Sequence, residues 1–522
     1  MMEFERDLSD HTTMGKTHGS DGRSLTPVQR FFVGSKILLT GGTGFIGILL
    51  LEKLLSSCPD ISKVFMLVRD KKGKDIRTRM QEFFDDEVFY RVREQCPNFE
   101  EKIVAVKGDC ELPGLGLGQL DREMLIREVD VIFHGAATVR FDETLKKASY
   151  INVRGVRDVI KLARQMPNLK SFVHISTAYS NCIHRVVKEE IYPPVMDYRK
   201  LLDVADALPD EVLDKITPLF LGKYPNTYTF TKHIGEDVVR QESGGLPVGI
   251  HRPSVVMSTY KEPLKGWNNS IYGPAGLMMG AYLGLVRTSP YDTEIKTHMV
   301  PADMVVNSIV AAAWDIGENF IREKDTTPTI TVYNYDLDLD VTWGNYLFTC
   351  KKYALKYFSV KAMWYLDGVL FKSFSVYNVM QFFLHTIPGV IMDAILVYKK
   401  KPPMMRNIYR KLYKAEKMLL YFKMNDWTFE TGKLRGLIGR MSDEDKKIFY
   451  CDVKDFDWEE SLEYYTLGLR IYLMKDPLET LPAGQKLRVR LYWLNQLTKT
   501  VIVIFLLWTV WVIFSFIFRL VF

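Results

Sequence analysis

Cysteine is scarce in this 522-residue chain, and the six present are widely scattered. Cys58, Cys96, Cys110, Cys182, Cys350 and Cys451 form no C-x-x-C pair, and no His or Cys stands at zinc-ligand spacing. That excludes a disulfide scaffold and a structural zinc site, assigns no metal, and leaves reduced thiols. Excess charge is also scarce. Against 69 Lys and Arg stand 63 Asp and Glu, and no face is loaded with cations, so a nucleic-acid partner is not expected. Residues 1–29 lack an apolar run; they read as a disordered polar tail without a cleavable secretory signal. No repeat of fixed period appears. With 47% hydrophobic and 25% charged residues, the balance is globular, which argues against both disorder and a polytopic membrane protein.

One long uncharged run is present. Val501 to Phe518 reads VIVIFLLWTVWVIFSFIF. As a helix it would be about 27 Å long against a hydrocarbon core of about 30 Å. It is apolar on every side and holds two tryptophans, which favours a membrane anchor over a core helix. Lys486, Arg488, Arg490 and Lys499 precede it and only Arg519 lies at its far end, so the positive-inside rule keeps the bulk of the chain in the cytosol.

Short apolar runs, KILLT (36–40), KVFMLV (63–68), KIVAVKG (102–108), DVIFHGA (130–136) and SFVHIS (171–176), alternate with segments that suit helices, such as 46–57 and 151–166. Strands buried on both faces read this way, and the alternation predicts an α/β fold with a doubly wound, Rossmann-like parallel sheet. After the first run come Gly41, Gly44 and Gly47. The first suits a sharp turn, the second lets backbone amides approach a pyrophosphate, and the third lets the next helix pack on the strand. Arg69 ends the second strand, where an arginine suits the 2′-phosphate of NADP and an acid would read the ribose of NAD. Asp70 is such an acid, but Arg69, Lys71 and Lys72 outnumber it and favour NADPH. Asp109, in GD at 108–109, suits either the adenine amine or a helix cap.

Tyr228 and Lys232, in YTFTK, share one helix face, where an ammonium beside a phenol lowers the phenol pKa from about 10. Ser176 and Thr177 close the fifth strand in HISTAYS, where a hydroxyl can bond a carbonyl oxygen.

With these residues assembled, the chain resembles the extended short-chain dehydrogenase/reductases, and more closely the alcohol-forming fatty acyl-CoA reductases. The likeness includes LLTGGTGFIG (38–47), MLVRDK (66–71), HGAATVRFDE (134–143), INVRG (151–155), FVHISTAYSNC (172–182), HRPSVV (251–256), GWNNSIYGPAG (266–276) and VPADMVVN (300–307). YFKMNDWTFE (421–430), FYCDVKDFDWEE (449–460) and GLRIYLMK (468–475) carry it through the last third, which sugar epimerases and hydroxysteroid dehydrogenases lack. Asn268 stands where the family usually has Asp, and NYDLDLD (334–340) is unusually acidic.

The resemblance implies reduction of a long-chain acyl-CoA by NADPH in two hydride transfers, through a hemithioacetal and an aldehyde, to a primary alcohol and CoA. It implies Tyr228 as proton donor, Lys232 as its tuner and ribose ligand, and Thr177, with Ser176 as substitute, on the developing oxyanion. It also implies a cofactor set of Gly41, Thr43, Gly44, Phe45, Ile46, Gly47, Arg69, Asp109, Gly135, Ala136 and Ala137 together with Tyr228 and Lys232. The expected domains are the tail, a reductase domain at 30–345, a mainly helical domain at 346–484, and a basic flank with anchor at 485–522. The anchor would lie in the endoplasmic reticulum or peroxisomal membrane; homo-oligomerisation is left open. Residues 377–398 are apolar but contain Asn378, Gln381, His385, Pro388 and Asp393, which argue against a second span. Core helices, an interfacial segment and a wall of an acyl tunnel are the readings in play, with His385 structural. A sterol or sugar-nucleotide dehydrogenase, or a non-catalytic NADPH-binding tether, are the rival functions.

Overall fold

The computed structural model describes residues 24–70, 75–322 and 329–521. Within them, β1 (Lys36–Thr40), β2 (Lys63–Val68), β3 (Ile103–Lys107), β4 (Val131–His134) and β5 (Ser171–Ile175) form at the five apolar runs. Two further strands, β6 (Val248–Pro253) and β7 (Thr331–Tyr335), complete a seven-stranded sheet in the order β7-β6-β5-β4-β1-β2-β3. Every pairing in it is parallel. The order runs outward in both directions from β1 and β4, which opens a crevice at the carboxyl ends of those two strands.

Helices cover both faces. The main ones are α1 (Phe45–Ser57), α2 (Gly155–Ala163), α3 (Thr227–Glu242) and α4 (Ala302–Arg322). Helix α4 is buried from Ala302 through Gly317 and packs on β5, β6 and α1. Val305, Ile309 and Val310 are fully buried in it, each contributing roughly 1.5–3 kcal/mol. Helix α3 starts at the cap Asn226, whose Oδ1 accepts from the Thr229 amide at 2.9 Å. Residues 27–29 of the expected tail lie in a short helix, Pro27–Phe31, closed by a capping box from Thr26; residues 1–23 lie outside the described part.

The chain forms two compact units. The first contains the residues up to Asn268, Ile295–Thr342 and Asn425–Ser461; the second contains Asn269–Glu294, Trp343–Met424 and Leu462–Phe522. The units do not follow chain order: 269–294 belongs to the second and 425–461 to the first. The reason for the latter is local. Thr428–Phe429 pairs with Val186–Val187, Trp427 Nε1 donates to Cys182 O at 2.9 Å, and Glu189 caps the helix Gly432–Arg440 through the Lys433 and Leu434 amides. Arg440 then reaches Asp315 on α4 at 2.8 Å.

The second unit is mainly helical. It contains α5 (Trp343–Lys356), α6 (Phe374–Gln381), α7 (Ile387–Tyr398), α8 (Met405–Met424) and α9 (Leu481–Val521). The first turns of α9 are folded against the unit: a Cβ on Gly484 would lie 2.0 Å from Phe358 O, and Leu491 packs with Phe358 and Ala362. From Val501 to Leu520 almost every apolar side chain of α9 is exposed. A core reading of 377–398 does not hold, because the apolar residues of α6 and α7 also point mostly outward.

Candidate functional site

The crevice between β1 and β4 is built by backbone crowding. Gly41 has φ +76°, and a Cβ there would lie 2.7 Å from the Ala136 nitrogen, so both conformation and space require glycine. A Cβ on Gly47 would lie 2.2 Å from Gly41 O, which holds the first turn of α1 against the loop. Gly44 is the N-cap of α1 and offers no side-chain cap, leaving the first amides, those of Phe45 and Ile46 among them, and the positive dipole end for an anion. Across the crevice, the Gly135 amide donates to Thr40 O at 3.1 Å and the Ala136 amide to Thr40 Oγ1 at 3.3 Å, so with half-buried Ala137 they form a wall. The Phe45 ring stacks on Trp267 at 5.7 Å.

At the end of β2, Arg69 is exposed and has no ion pair among the described residues. Arg79 donates to Arg69 O at 2.5 Å and to Thr43 Oγ1 at 3.2 Å. Burial and the neighbouring Arg69 charge lower the Arg79 pKa. Asp70 instead pairs with Lys107 at 2.7 Å. Lys71 and Lys72 lie outside the described residues. Asp109 Oδ1 accepts from the Glu111 amide at 2.9 Å, in the turn that precedes the helical turn at Pro113–Gly116.

The second cluster sits at the end of β5. Tyr228, half-buried, is stacked by Phe141 at 5.7 Å; nearby, Thr177 Oγ1 accepts from the Tyr179 amide at 3.2 Å and donates to Pro253 O at 3.5 Å. Burial pushes the phenol up to about 12, with Thr177 opposing. This corrects one expectation: Lys232 does not bring Tyr228 below its ordinary value, because the low-dielectric surroundings dominate and the ammonium is turned to Ile175 O at 2.7 Å. Lys232 itself is pulled down to about 8 by burial, with the Glu236 carboxylate opposing. The Ser176 hydroxyl donates to Glu236 Oε1 at 2.5 Å.

Residues 39–309 match a family described as male sterility protein, and residues 384–476 match a second family of the same description. Fatty acyl-CoA reductase wat of Drosophila melanogaster is 38% identical over 511 residues, covering 98% of this chain and 97% of that protein. The chain belongs to the fatty acyl-CoA reductase family. Fatty acyl-CoA reductase 1 of Homo sapiens is 36% identical over 494 residues, covering 94% of each chain. Among solved structures, the terminal R domain of the myxalamid biosynthetic pathway aligns with TM-score 0.54 at 18% identity, covering 91% of this chain and 99% of that one. The reductase domain of a Mycobacterium tuberculosis nonribosomal peptide synthetase gives 0.54 at 19%, with 84% and 91% covered. Those likenesses show a shared fold, and the first family match makes 39–309 an NAD(P)-binding domain.

In this fatty acyl-CoA reductase family member, the structure brings Thr177, Tyr228 and Lys232 together and sets the glycine loop, Arg69 and residues 135–137 around one crevice. Sequence reasoning missed Arg79, Phe141 and the network below Lys232. There Glu236, buried, accepts from Arg252 at 2.9 and 2.6 Å, from Ser180 at 2.8 Å and from Asn181 at 3.4 Å. Burial opposes ionisation of Glu236, but Arg252 holds its pKa below the usual carboxylate value. The available signal was spacing: Tyr228, Lys232 and Glu236 are four apart on α3.

Proposed function

We propose that this protein reduces a fatty acyl-CoA with two NADPH and two protons to a primary alcohol, releasing CoA, by way of an aldehyde. The observation that carries the reading is Tyr228 one turn before buried Lys232 on α3, with the Lys232 ammonium donating at 2.7 Å to Ile175 O at the end of β5, two residues before Thr177, in a chain of this family. The glycine turn leaves no room for Cβ atoms and the α1 amides are uncapped, which fits a pyrophosphate; Arg69 and Arg79 fit a 2′-phosphate. When bound, NADPH supplies the hydride. Tyr228, protonated at neutral pH, gives a proton to the carbonyl oxygen. Thr177 orients that oxygen and the Tyr228 hydroxyl. Lys232 contributes positive charge and a ribose contact, and Phe141 packs against the Tyr228 ring face. In the first reduction the thioester becomes a hemithioacetal, which expels CoA; the second converts the aldehyde to alcohol.

The exposed run of α9 supports a single membrane span, with its basic flank and the rest of the chain on the cytosolic face of the endoplasmic reticulum or peroxisome. The deciding experiment is incubation of the purified full chain with NADPH and a panel of acyl-CoAs, with products identified by mass spectrometry. Alcohol and CoA appearing together with two NADPH consumed per alcohol is the expected result. Turnover of a sterol or nucleotide sugar with no alcohol from any acyl-CoA would overturn it.

A further inference from the structure

Three of the polar residues that disqualify 374–398 as a span, Asn378, His385 and Asp393, serve the protein's inner side. His385 Nε2 accepts from the Arg287 amide at 2.9 Å, and its ring stacks on Tyr409 at 5.0 Å. Asn378 Oδ1 accepts from the Tyr413 hydroxyl at 3.2 Å, and Gln381 accepts from Thr386 at 3.4 Å. Asp393 accepts from the amides of Met404, Met405 and Arg406 at 2.8, 2.8 and 3.0 Å, closing the start of α8. Tyr377, His385, Gly389 and Asp393 are buried at multiples of four, so they trace one inward stripe through α6, the π turn Phe382–Thr386 and α7.

From Val379 onward the opposite stripe is apolar. Val379, Phe383, Ile387, Val390, Ile391 and Ile395 are exposed by 57%, 56%, 38%, 47%, 55% and 42%. A contiguous apolar face of this length marks an interaction site. Its position identifies the partner. Asp367, seven residues before Phe374, accepts from Asn495 at 3.0 Å and pairs with Lys499, and Trp364 donates to Asn495 at 2.9 Å. Val501, where the uncharged run begins, is two residues beyond Lys499. Seven extended residues reach at most about 25 Å, so α6 starts within that distance of the point where the anchor would enter the bilayer. At the far end of α7, Lys399, Lys400 and Lys401 are exposed and suit anionic headgroups.

We propose that the outward face of Phe374–Tyr398 lies in the interfacial layer of the same bilayer that α9 spans, as a second, non-spanning membrane contact. The proposal rests on the anchor reading of α9. A span is excluded by the inward stripe, whose groups are spent on tertiary bonds; an acyl-tunnel wall is a poor fit for side chains that face out. The lipid occupant is favoured over a second copy of the chain by continuity with the anchor and by the cationic end.

The test uses the full chain in phosphatidylcholine and phosphatidylserine vesicles. The photoreactive residue p-benzoyl-phenylalanine replaces Phe383, Ile391, Phe514 in the anchor, or exposed Leu120 in the other unit, one at a time. All four positions are exposed, so folding is preserved. After irradiation, mass spectrometry should find lipid acyl-chain adducts from 383, 391 and 514 and none from 120. Adducts from 514 without any from 383 or 391 would overturn this proposal and leave the anchor intact. Absence from 514 would remove the anchor reading and this proposal with it. Cross-links from 383 or 391 to a second copy, or labelling from 120 equal to theirs, would also overturn it.

Discussion

Tyr228 and Lys232 are four residues apart on one helix, and that spacing together with Ser176 and Thr177 at the end of a predicted strand made the pair legible. What the spacing did not carry is the effect of burial, which raises the phenol to about 12 and lowers the ammonium to about 8. A phenol that stays protonated at neutral pH is an acid in waiting. Tyr228→Phe keeps the ring against Phe141 and deletes the proton, so single-turnover hydride transfer to acyl-CoA and to aldehyde should both slow by about 10²-fold or more, with NADPH affinity unchanged. Lys232 faces Glu236 across one helical turn, with neutral, buried His134 and His174 on β4 and β5 and Arg252 on β6 beyond them. Because the carboxylate favours the ammonium, Glu236→Gln should move the basic limb of kcat/KM from near pH 8 to lower pH. Ser176→Ala, which keeps the charge, should leave that limb in place. Cofactor choice belongs to the same scale. Arg69→Ala and Arg79→Ala should each erode the preference for NADPH over NADH, read as a ratio of kcat/KM values. Arg79 could not be found from sequence, because the turn that brings it back to Thr43 and Arg69 is a tertiary fact.

Elements buried on both faces announced themselves. Strands β1 to β5 lie within one or two residues of the apolar runs that predicted them, because their apolar centres are buried while Lys63 and Lys107 sit exposed at strand ends. Strands β6 and β7 did not, since VGIHRP and TVYNY contain groups that look wrong for a sheet interior. Each has a partner at long range: Arg252 meets Glu236, His251 Nε2 meets Ser308 at 2.8 Å, and Asn334 donates to Val187 O at 3.0 Å. The same blindness affected 374–398, where Asn378, His385 and Asp393 read as interruptions of an apolar run although they form its inner stripe. Asp393 gives an element-scale prediction. Its carboxylate accepts three amides at the start of α8, so Asp393→Ala should lower the melting temperature of the full chain in detergent, while Asp393→Asn should restore part of it. An Asp393→Ala chain with unchanged melting would mean that packing alone sets α8.

At the scale of the whole molecule, the anchor and the fold share one helix. The basic flank expected from 485 onward is not a free stalk: Gln485 donates to Lys356 O at 2.6 Å, Leu491 is buried, and Asn495 holds both Trp364 and Asp367. A cut after Gly484 would therefore remove packed turns as well as the span, and a cut after Lys499 removes the span alone. Two kinds of attachment then make separable forecasts. Loss of a 41-residue helix's uncharged end should abolish resistance to alkaline carbonate extraction, because only a spanning segment is held against it. The outward face of α6 and α7 remains, so the chain ending at Lys499 should still cosediment with anionic vesicles. Adding Phe383→Asp and Ile391→Asp should release it, since each places a charge where the apolar face would enter the interface, and neither side chain has an inward role. Recovery of the Lys499-terminated chain in the supernatant before those two changes would leave α9 as the sole attachment to the membrane.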